Sequence, residues 1–365
     1  MNDGMQVGLA VDTRIKWIDT AKGIGIILIV LGHTLKGGFV NQLLYSFHVP
    51  LFFYLSGLTF HQQNSMDFWG KRIRRLYIPY LYFSVISIVL FTIAGDVVAK
   101  QLNVALVEGG FTRNVLGMLY GNSRTGYMKW NVPLWFIPCM LAVFLLANLT
   151  EYICSKSGEG YRYFIMALSL GLELAYSAIF ISIKLPFAFE TAIFMLFFFE
   201  CGVLSRKYQL MYRMRERLCG NKIKCAGLIL LGLCLLVTTS YFNGFAQVRT
   251  LQFGKSYLLY IIGALCGIAM TVIVSNLIEN SRVLSYIGEN SMKILLMHKF
   301  PILFFQSIFP PTKKLLLSEN TMVYCLCIAF VVAITIVGCL LMGNVIEKVF
   351  PIMVGKTKNR NRISK

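Results

Sequence analysis

KGIGIILIVLGHTL, residues 22–35, is an apolar run that begins at Lys22 and carries His33 far inside it. Runs of roughly 20 apolar residues are long enough to cross the hydrocarbon core of a bilayer as a helix, and such runs recur along the whole chain. An ionisable side chain in a transmembrane helix is costly in lipid, so it usually faces a cavity or a partner. The run therefore predicts a membrane-spanning helix that turns His33 towards the interior of a helical bundle.

The composition extends this prediction to the whole chain. Of the 365 residues, 57% are hydrophobic and 14% are charged, whereas soluble domains carry about 25% charged residues. The predicted fold class is an all-α polytopic transmembrane bundle of about ten spans, embedded in the lipid bilayer of the cell membrane as a multi-pass protein. The spans are expected at 18–37, 43–62, 76–96, 131–150, 162–182, 187–205, 225–242, 256–277, 291–309 and 322–342.

The distribution of positive charge predicts the orientation. The net charge is +19, and most of the lysines and arginines fall in alternate loops, as they do on the cytoplasmic side of membrane proteins. The positive charge is therefore explained by membrane orientation, and no nucleic-acid partner is predicted. The same distribution predicts that both termini are cytoplasmic. We therefore expect a cytoplasmic N-terminal segment at 1–17, a ten-helix membrane domain at 18–345 and a basic cytoplasmic tail at 346–365.

Two histidines are expected at the same depth. At about 1.5 Å of rise per residue, His33 near the end of the first span and His48 near the start of the returning span both lie in the outer half of the bilayer. Each ring could simply make an interhelical hydrogen bond, but two together favour a polar cavity, where imidazole can take a proton from a hydroxyl and return it. His298 is expected nearer the cytoplasmic side, as a helix-packing partner. Too few donors cluster with these rings to predict a metal site.

Two further stretches have both a structural and a functional interpretation. KRIRRLYIPY, residues 71–80, is explained by its charge as a cytoplasmic anchor. It also places Arg72 and Arg75 three residues apart, on one side of a helix start, where two guanidiniums could hold the phosphates of a coenzyme A thioester. NVPLWFIP, residues 131–138, carries Trp135, which is either an interfacial aromatic residue or part of a substrate site.

Together these stretches resemble the integral-membrane acyltransferase family 3, especially its fucose 4-O-acetylase-like branch. The resemblance is strongest in WIDTAKGIGIILIVLGH (17–33), FHVPLFFYLSG (47–57) and KRIRRLYIPY, and it continues in PLWFIP and IGENSMKILLMH. It implies that His33 is the catalytic base, that Lys22 supports the donor or the site, and that Arg72 and Arg75 contact acetyl-CoA.

The function expected from these features is O-acyl transfer, most readily O-acetyl transfer. The acyl group would move from cytoplasmic acetyl-CoA, with no metal, to a hydroxyl of a surface glycan or its lipid-linked precursor. His48 and Trp135 would help to bind this acceptor. The alternative is a transporter or flippase of a lipid-linked glycan, which intramembrane charges would also suit. The carboxylates Glu173, Glu190 and Glu200 lie within or beside spans, and we expect them to be paired, protonated or turned to a cavity.

Overall fold

The structure is a computed structural model. It describes residues 15–35, 37–62, 66–102, 110–125, 129–180, 182–210, 213–214, 222–308, 315–316 and 320–356. Within these ranges the secondary structure is helical, apart from one isolated bridge between Gln247 and Gln252. Most of the predicted segment 1–17 and the end of the predicted tail lie outside the described residues, so both domain boundaries stay predictions.

Fourteen α-helices are described between these limits, joined by short 3₁₀ and π turns. In chain order they are α1 Lys16–Thr34, α2 Phe39–Leu58, α3 Met66–Arg72, α4 Ile78–Leu102, α5 Gly110–Tyr120, α6 Phe136–Ser157, α7 Gly160–Ala175, α8 Phe189–Lys207, α9 Lys222–Asn243, α10 Tyr257–Leu277, α11 Arg282–Glu289, α12 Ser291–Met297, α13 Lys299–Leu303 and α14 Thr321–Val349. The turns that matter below are the π turn Ile73–Tyr77 and the 3₁₀ turns Ser123–Thr125, Lys129–Trp135, Val248–Thr250 and Pro351–Val354.

The helices confirm the all-α membrane bundle. Among the described residues, seven helices are long and apolar enough to cross a membrane. They contain α1, α4, α6, α8, α9, α10 and α14. The helix α7 has 16 residues, and neither α7 nor α2 is among these seven. The count of ten spans and the placement of the termini stay predictions.

The first two helices form the centre of the bundle. The helix α2 packs against α1, α8 and α10, and α1 also packs against α11. A side chain at Gly57 would collide with the backbone carbonyl of Phe199 on α8, and one at Gly288 would collide with that of Asp19 on α1. Because glycine has no Cβ, these helices approach backbone to backbone, which fixes their relative position tightly.

The ninth predicted span is broken, and it begins earlier than expected. The chain enters the bundle at Arg282 in α11 and passes through Asn290 into α12, rather than starting at Ser291. The contact between Gly288 and Asp19 sets α11 beside the start of α1. Further along the same two stretches of chain, His298 lies against His33, with the ring centroids 5.3 Å apart. The prediction that His298 lies nearer the cytoplasmic side than His33 is therefore wrong.

Candidate active site

A cavity with a volume of about 180 Å³ lies between α1, α2, α12 and the start of α6. Its walls are mostly apolar, with two imidazoles and one hydroxyl among them. The lining residues are Ile26, Ile29, His33, His48, Val49, Phe52, Leu76, Pro133, Trp135, Phe136, Ser291, Met292 and Leu295. The lining therefore includes both imidazoles and Leu76, which directly follows Arg75 of the basic segment 71–75 in the chain.

His33 lines this cavity with a half-buried ring. Its Nδ1 lies 3.4 Å from the hydroxyl oxygen of Tyr45 on α2, within hydrogen-bonding distance. The ring of Tyr45 also meets the ring of His48 edge to face, with centroids 4.9 Å apart. The amide of Asn41 donates a hydrogen bond of 2.8 Å to the carbonyl oxygen of Gly32, which fastens the end of α1 to α2. The hairpin thus holds the two predicted histidines in one site, at matched depth.

The other two rings are held by their Nδ1 atoms. The Nδ1–H of His48 donates to the carbonyl oxygen of Leu44, and that of His298 donates to the carbonyl oxygens of Ile294 and Leu295 at 3.0 and 2.9 Å. A carbonyl oxygen can only accept, so both neutral rings carry their proton on Nδ1 and present Nε2 as an acceptor. The Nε2 of His298 is buried and has no hydrogen-bond partner among the described residues.

Lys22 belongs to the same face of α1 as the cavity wall. Ile26, Ile29 and His33 follow a helical stripe, and Lys22 lies one turn before Ile26. Eleven residues make about three full turns, so Lys22 lies roughly 16 Å below His33 along the helix axis. Its Nζ is 3.8 Å from a carboxylate oxygen of Asp19. Lys22 therefore lies on the helix face that lines the cavity, but about three turns from the imidazole of His33.

The two predicted donor-binding arginines have different surroundings. The guanidinium of Arg72 lies over the ring of Phe144, 3.8 Å from its centroid, and 4.9 Å from that of Phe68. Arg75 lies in the π turn and is exposed. Pro79 has no N–H to offer the carbonyl of Arg75 one turn earlier, which accounts for the irregular turn here. Arg72 thus anchors the segment by cation–π contacts, while Arg75 is open to a ligand.

The start of the C-terminal segment packs on Arg75. A Cβ at Gly355, which has a φ of +76°, would lie 2.7 Å from the carbonyl oxygen of Arg75. The next residue, Lys356, is exposed and forms an ion pair of 2.5 Å with Glu347 at the end of α14. The same carboxylate pairs with Lys293 of α12 at 2.5 Å. Lys293 and Lys356 thus share one carboxylate, and the C-terminal segment that carries Lys356 packs on the backbone of Arg75.

Trp135 is buried at the cavity wall, where the turn Lys129–Trp135 runs into α6. This position agrees with the predicted substrate contact better than with a place at the lipid interface. The side-chain amide of Asn131 in the same turn donates to the hydroxyl of Ser87 and to the carbonyl oxygen of Leu296, both at 3.2 Å. These bonds hold the turn against α4 and α12, which fixes the indole beside the imidazoles.

The three intramembrane carboxylates are all buried, and each has charged neighbours. Glu190 accepts hydrogen bonds from Asn122 and Arg124, at 2.6 and 3.2 Å. Glu200 forms an ion pair with the buried Arg162. Glu173 interacts electrostatically with Glu190 and Arg124. Pairing with arginine, one of the predicted outcomes, is therefore found for two of them.

Three residues in or beside the cavity are not among the predicted site residues: Ser291 in its wall, and His298 and Tyr45 beside His33. His298 is expected from the sequence to be a packing partner nearer the cytoplasmic side, because the start of its span is predicted at Ser291. Tyr45 lies three residues before His48 on α2, a spacing that places both on one helix face, and this was the available signal. Among the described residues, no group of three or more His, Cys, Asp or Glu side chains is arranged to hold a metal ion.

Comparison with known proteins agrees with this geometry. The family model for the acyltransferase domain, acyltransferase family 3, matches residues 15–341. No curated protein and no solved structure matches the chain. The matched region contains the whole cavity, from the start of α1 into α14, while the fucose 4-O-acetylase-like branch stays a prediction. A helical membrane bundle with histidines around an internal cavity fits this match, and the chain belongs to acyltransferase family 3 as a multi-pass membrane acyltransferase.

Proposed function

We propose that the protein is an O-acetyltransferase of the cell membrane that moves an acetyl group from cytoplasmic acetyl-CoA to a hydroxyl of a surface glycan or its lipid-linked precursor. The observation that carries this proposal is the cavity whose lining includes His33, His48 and Leu76, the residue that follows Arg75. A donor bound at one face of the membrane and an acceptor bound at the other need such a passage. Family membership supports acyl transfer. The internal cavity supports a reaction in which donor and acceptor bind at opposite faces of the membrane.

The basic end of the cavity suits the donor. Arg75 is exposed next to Leu76 of the lining, Lys356 follows the glycine that packs on Arg75, and Lys22 precedes Ile26 of the lining by one helical turn. Guanidinium and ammonium groups bind phosphates through charge-assisted hydrogen bonds. The narrow, apolar interior would then accept the pantetheine arm and direct the thioester towards His33. Arg72, held between aromatic rings, would keep this segment in place and add positive charge.

The histidine end suits the reaction itself. When Nδ1–H of His33 donates to the hydroxyl oxygen of Tyr45, Nε2 is left free to take the proton of an acceptor hydroxyl. The acceptor oxygen then attacks the thioester carbonyl, the carbon–sulfur bond breaks, and the proton passes from His33 to the departing thiolate. His48, with its Nε2 an acceptor, and the indole of Trp135 would position the sugar.

The test is His33→Ala in the full-length protein. Removing a general base is expected to lower acetyl transfer by about 10²–10⁴-fold while the variant remains abundant in the membrane. Mass spectrometry of surface glycans measures the reaction, since each transfer adds one acetyl unit. His61→Ala is the matched control, because His61 is exposed at the end of α2, and it should leave acetylation unchanged.

Two results would contradict the proposal. Wild-type acetylation by the His33→Ala variant would remove the assigned base. Failure of the purified wild-type protein to bind labelled acetyl-CoA would contradict the donor, and a glycan that is moved but not modified would then point to transport instead. Neutralising Arg75 as Arg75→Gln should weaken binding of the labelled donor, which separates the donor site from the acceptor end.

A further inference from the structure

The loop 244–255 is built as a rigid structure at the histidine end of the bundle. Gln247 and Gln252 exchange two backbone hydrogen bonds, with N–O distances of 2.6 and 3.1 Å. Between them, the side chains of Val248 and Leu251 are buried in the core. Because these apolar side chains are buried in the core, the loop packs against the bundle and does not project from it. The position of Arg249, which lies between these two side chains in the chain, is therefore fixed by packing.

Arg249 lies beside the histidine site. Phe245 of the same loop stacks on Tyr45, with ring centroids 5.0 Å apart, and Tyr45 contacts both His33 and His48. The guanidinium of Arg249 is near enough to Tyr45 and His33 to interact with both electrostatically. Arg249 therefore lies on the side of the bundle where Tyr45 meets the two histidines.

No carboxylate in the described part of the chain neutralises Arg249. The turn Val248–Thr250 contacts the turn Ser123–Thr125, whose Arg124 is paired with Glu190 at 3.2 Å. Burial, together with the charge of Arg124, lowers the pKa of Arg249 below its ordinary value. Desolvating a charge without a partner is unfavourable, and the unpaired arginine is placed where a substrate would lie. A ligand that brings an anionic group would remove this cost.

We propose that Arg249 binds an anionic oxygen group of the acceptor, a phosphate or a carboxylate, and that the acceptor is therefore an acidic or phosphorylated glycan. This inference rests on the proposed function and makes its substrate class narrower. Guanidinium binds both groups through two parallel hydrogen bonds. A phosphate would come from a lipid-linked precursor and a carboxylate from an acidic sugar, and the two can be separated by the probe.

The experiment measures binding of labelled inorganic pyrophosphate and of labelled glucuronate to the purified full-length protein, with glucose as the neutral probe. Saturating coenzyme A is present throughout, so that any donor site is filled. Arg249→Gln should weaken binding of the preferred anion at least tenfold, and Arg249→Lys should retain part of it. The matched control is Lys255→Gln, which removes one exposed charge from the same loop. It should bind like the wild-type protein.

The thermal unfolding of the unliganded variants distinguishes binding from a structural role. Arg249→Gln should unfold at the same temperature as the wild-type protein or higher, because it removes an unpaired charge. Preference for pyrophosphate assigns the phosphate, and preference for glucuronate assigns the carboxylate. The inference is overturned if the wild-type protein and Arg249→Gln bind the anion equally well, or if Lys255→Gln loses anion binding as well. It is also overturned if Arg249→Gln unfolds at a lower temperature than the wild-type protein. Absence of acetyl transfer would instead contradict the proposed function, and the dependence of anion binding on Arg249 would still be measurable.

Discussion

Replacing Tyr45 by Phe tests whether the hydroxyl beside His33 orients the ring or takes part in the chemistry. The phenyl ring of the variant keeps the contacts with His48 and Phe245, at centroid distances of 4.9 and 5.0 Å. Only the hydroxyl is lost, and with it the 3.4 Å interaction with Nδ1 of His33. The variant therefore separates one hydrogen bond from the surrounding packing.

The expected effect is small, and its size follows from the geometry. A neutral hydrogen bond contributes about 0.5–1.5 kcal/mol, and the distance of 3.4 Å is longer than is usual for such bonds. If this interaction fixes the ring of His33 only while the reaction proceeds, Tyr45→Phe lowers kcat by about 2- to 13-fold. Because Tyr45 lies away from the basic end, KM for acetyl-CoA should not change.

The assay is acetyl transfer by the purified variant over a range of acetyl-CoA concentrations, followed by release of the coenzyme A thiol. Tyr241→Phe is the matched control, since Tyr241 is 70% exposed and should behave like the wild-type protein. A fall in kcat of about 10²-fold or more would refute the orienting role, because losses of that size are typical of a missing general acid or base. An unchanged kcat would refute any role of the hydroxyl.

Three further predictions concern the passage and the ion pairs. Arg162→Leu leaves Glu200 buried without its partner and should destabilise the protein by about 3–5 kcal/mol, while Lys207→Leu, which breaks an exposed pair, should cost less than about 1 kcal/mol. Chemical unfolding in detergent compares them, and equal losses would contradict the argument. Leu76→Trp narrows the basic end of the cavity and should lower kcat/KM for acetyl-CoA on the order of tenfold to hundredfold. Normal kinetics in this variant would show that the donor takes another path. The hydrogen bond from Arg162 lowers the pKa of Glu159 to about 2, below its unfolded value of 4.5. The wild-type protein should therefore have a larger free energy of unfolding than Glu159→Gln. This difference is full at pH above 4.5 and is lost as the pH falls through 2. In unfolding scans over a pH series, a difference already shrinking between about pH 8 and about pH 5 would contradict this sign.

The broken helix α11–α13 shows how a short irregularity alters the site. A continuous span beginning at Ser291 would place His298 about ten residues, or roughly 15 Å, away from the depth it occupies. The chain instead begins to descend at Arg282, and Gly288 allows α11 to lie directly on α1. The result is a third imidazole, 5.3 Å from that of His33, whose Nε2 has no hydrogen-bond partner in the described part of the structure.

The sequence alone determined the class of fold and much of the site. Hydropathy is local, since any apolar run of about 20 residues must lie in lipid. The prediction of an all-α membrane bundle therefore needed no knowledge of neighbours. The shared depth of His33 and His48 could also be predicted from the sequence, because a short turn joins two helices of known rise per residue. The family resemblance of the ordered motifs was confirmed by the match over residues 15–341.

Only the tertiary structure decided which helices touch and what each polar side chain meets. Nothing in the local pattern of SMKILLMH reveals that His298 lies against His33, because this depends on the close approach of Gly288 to a helix almost 270 positions earlier. The arginines that looked equivalent in sequence differ because Arg72 finds the ring of Phe144 and Arg75 does not. Arg249 is in an ordinary loop by sequence, and it becomes a candidate ligand-binding residue only because the loop folds inward. Such contacts follow from packing between distant segments, which local periodicity does not encode.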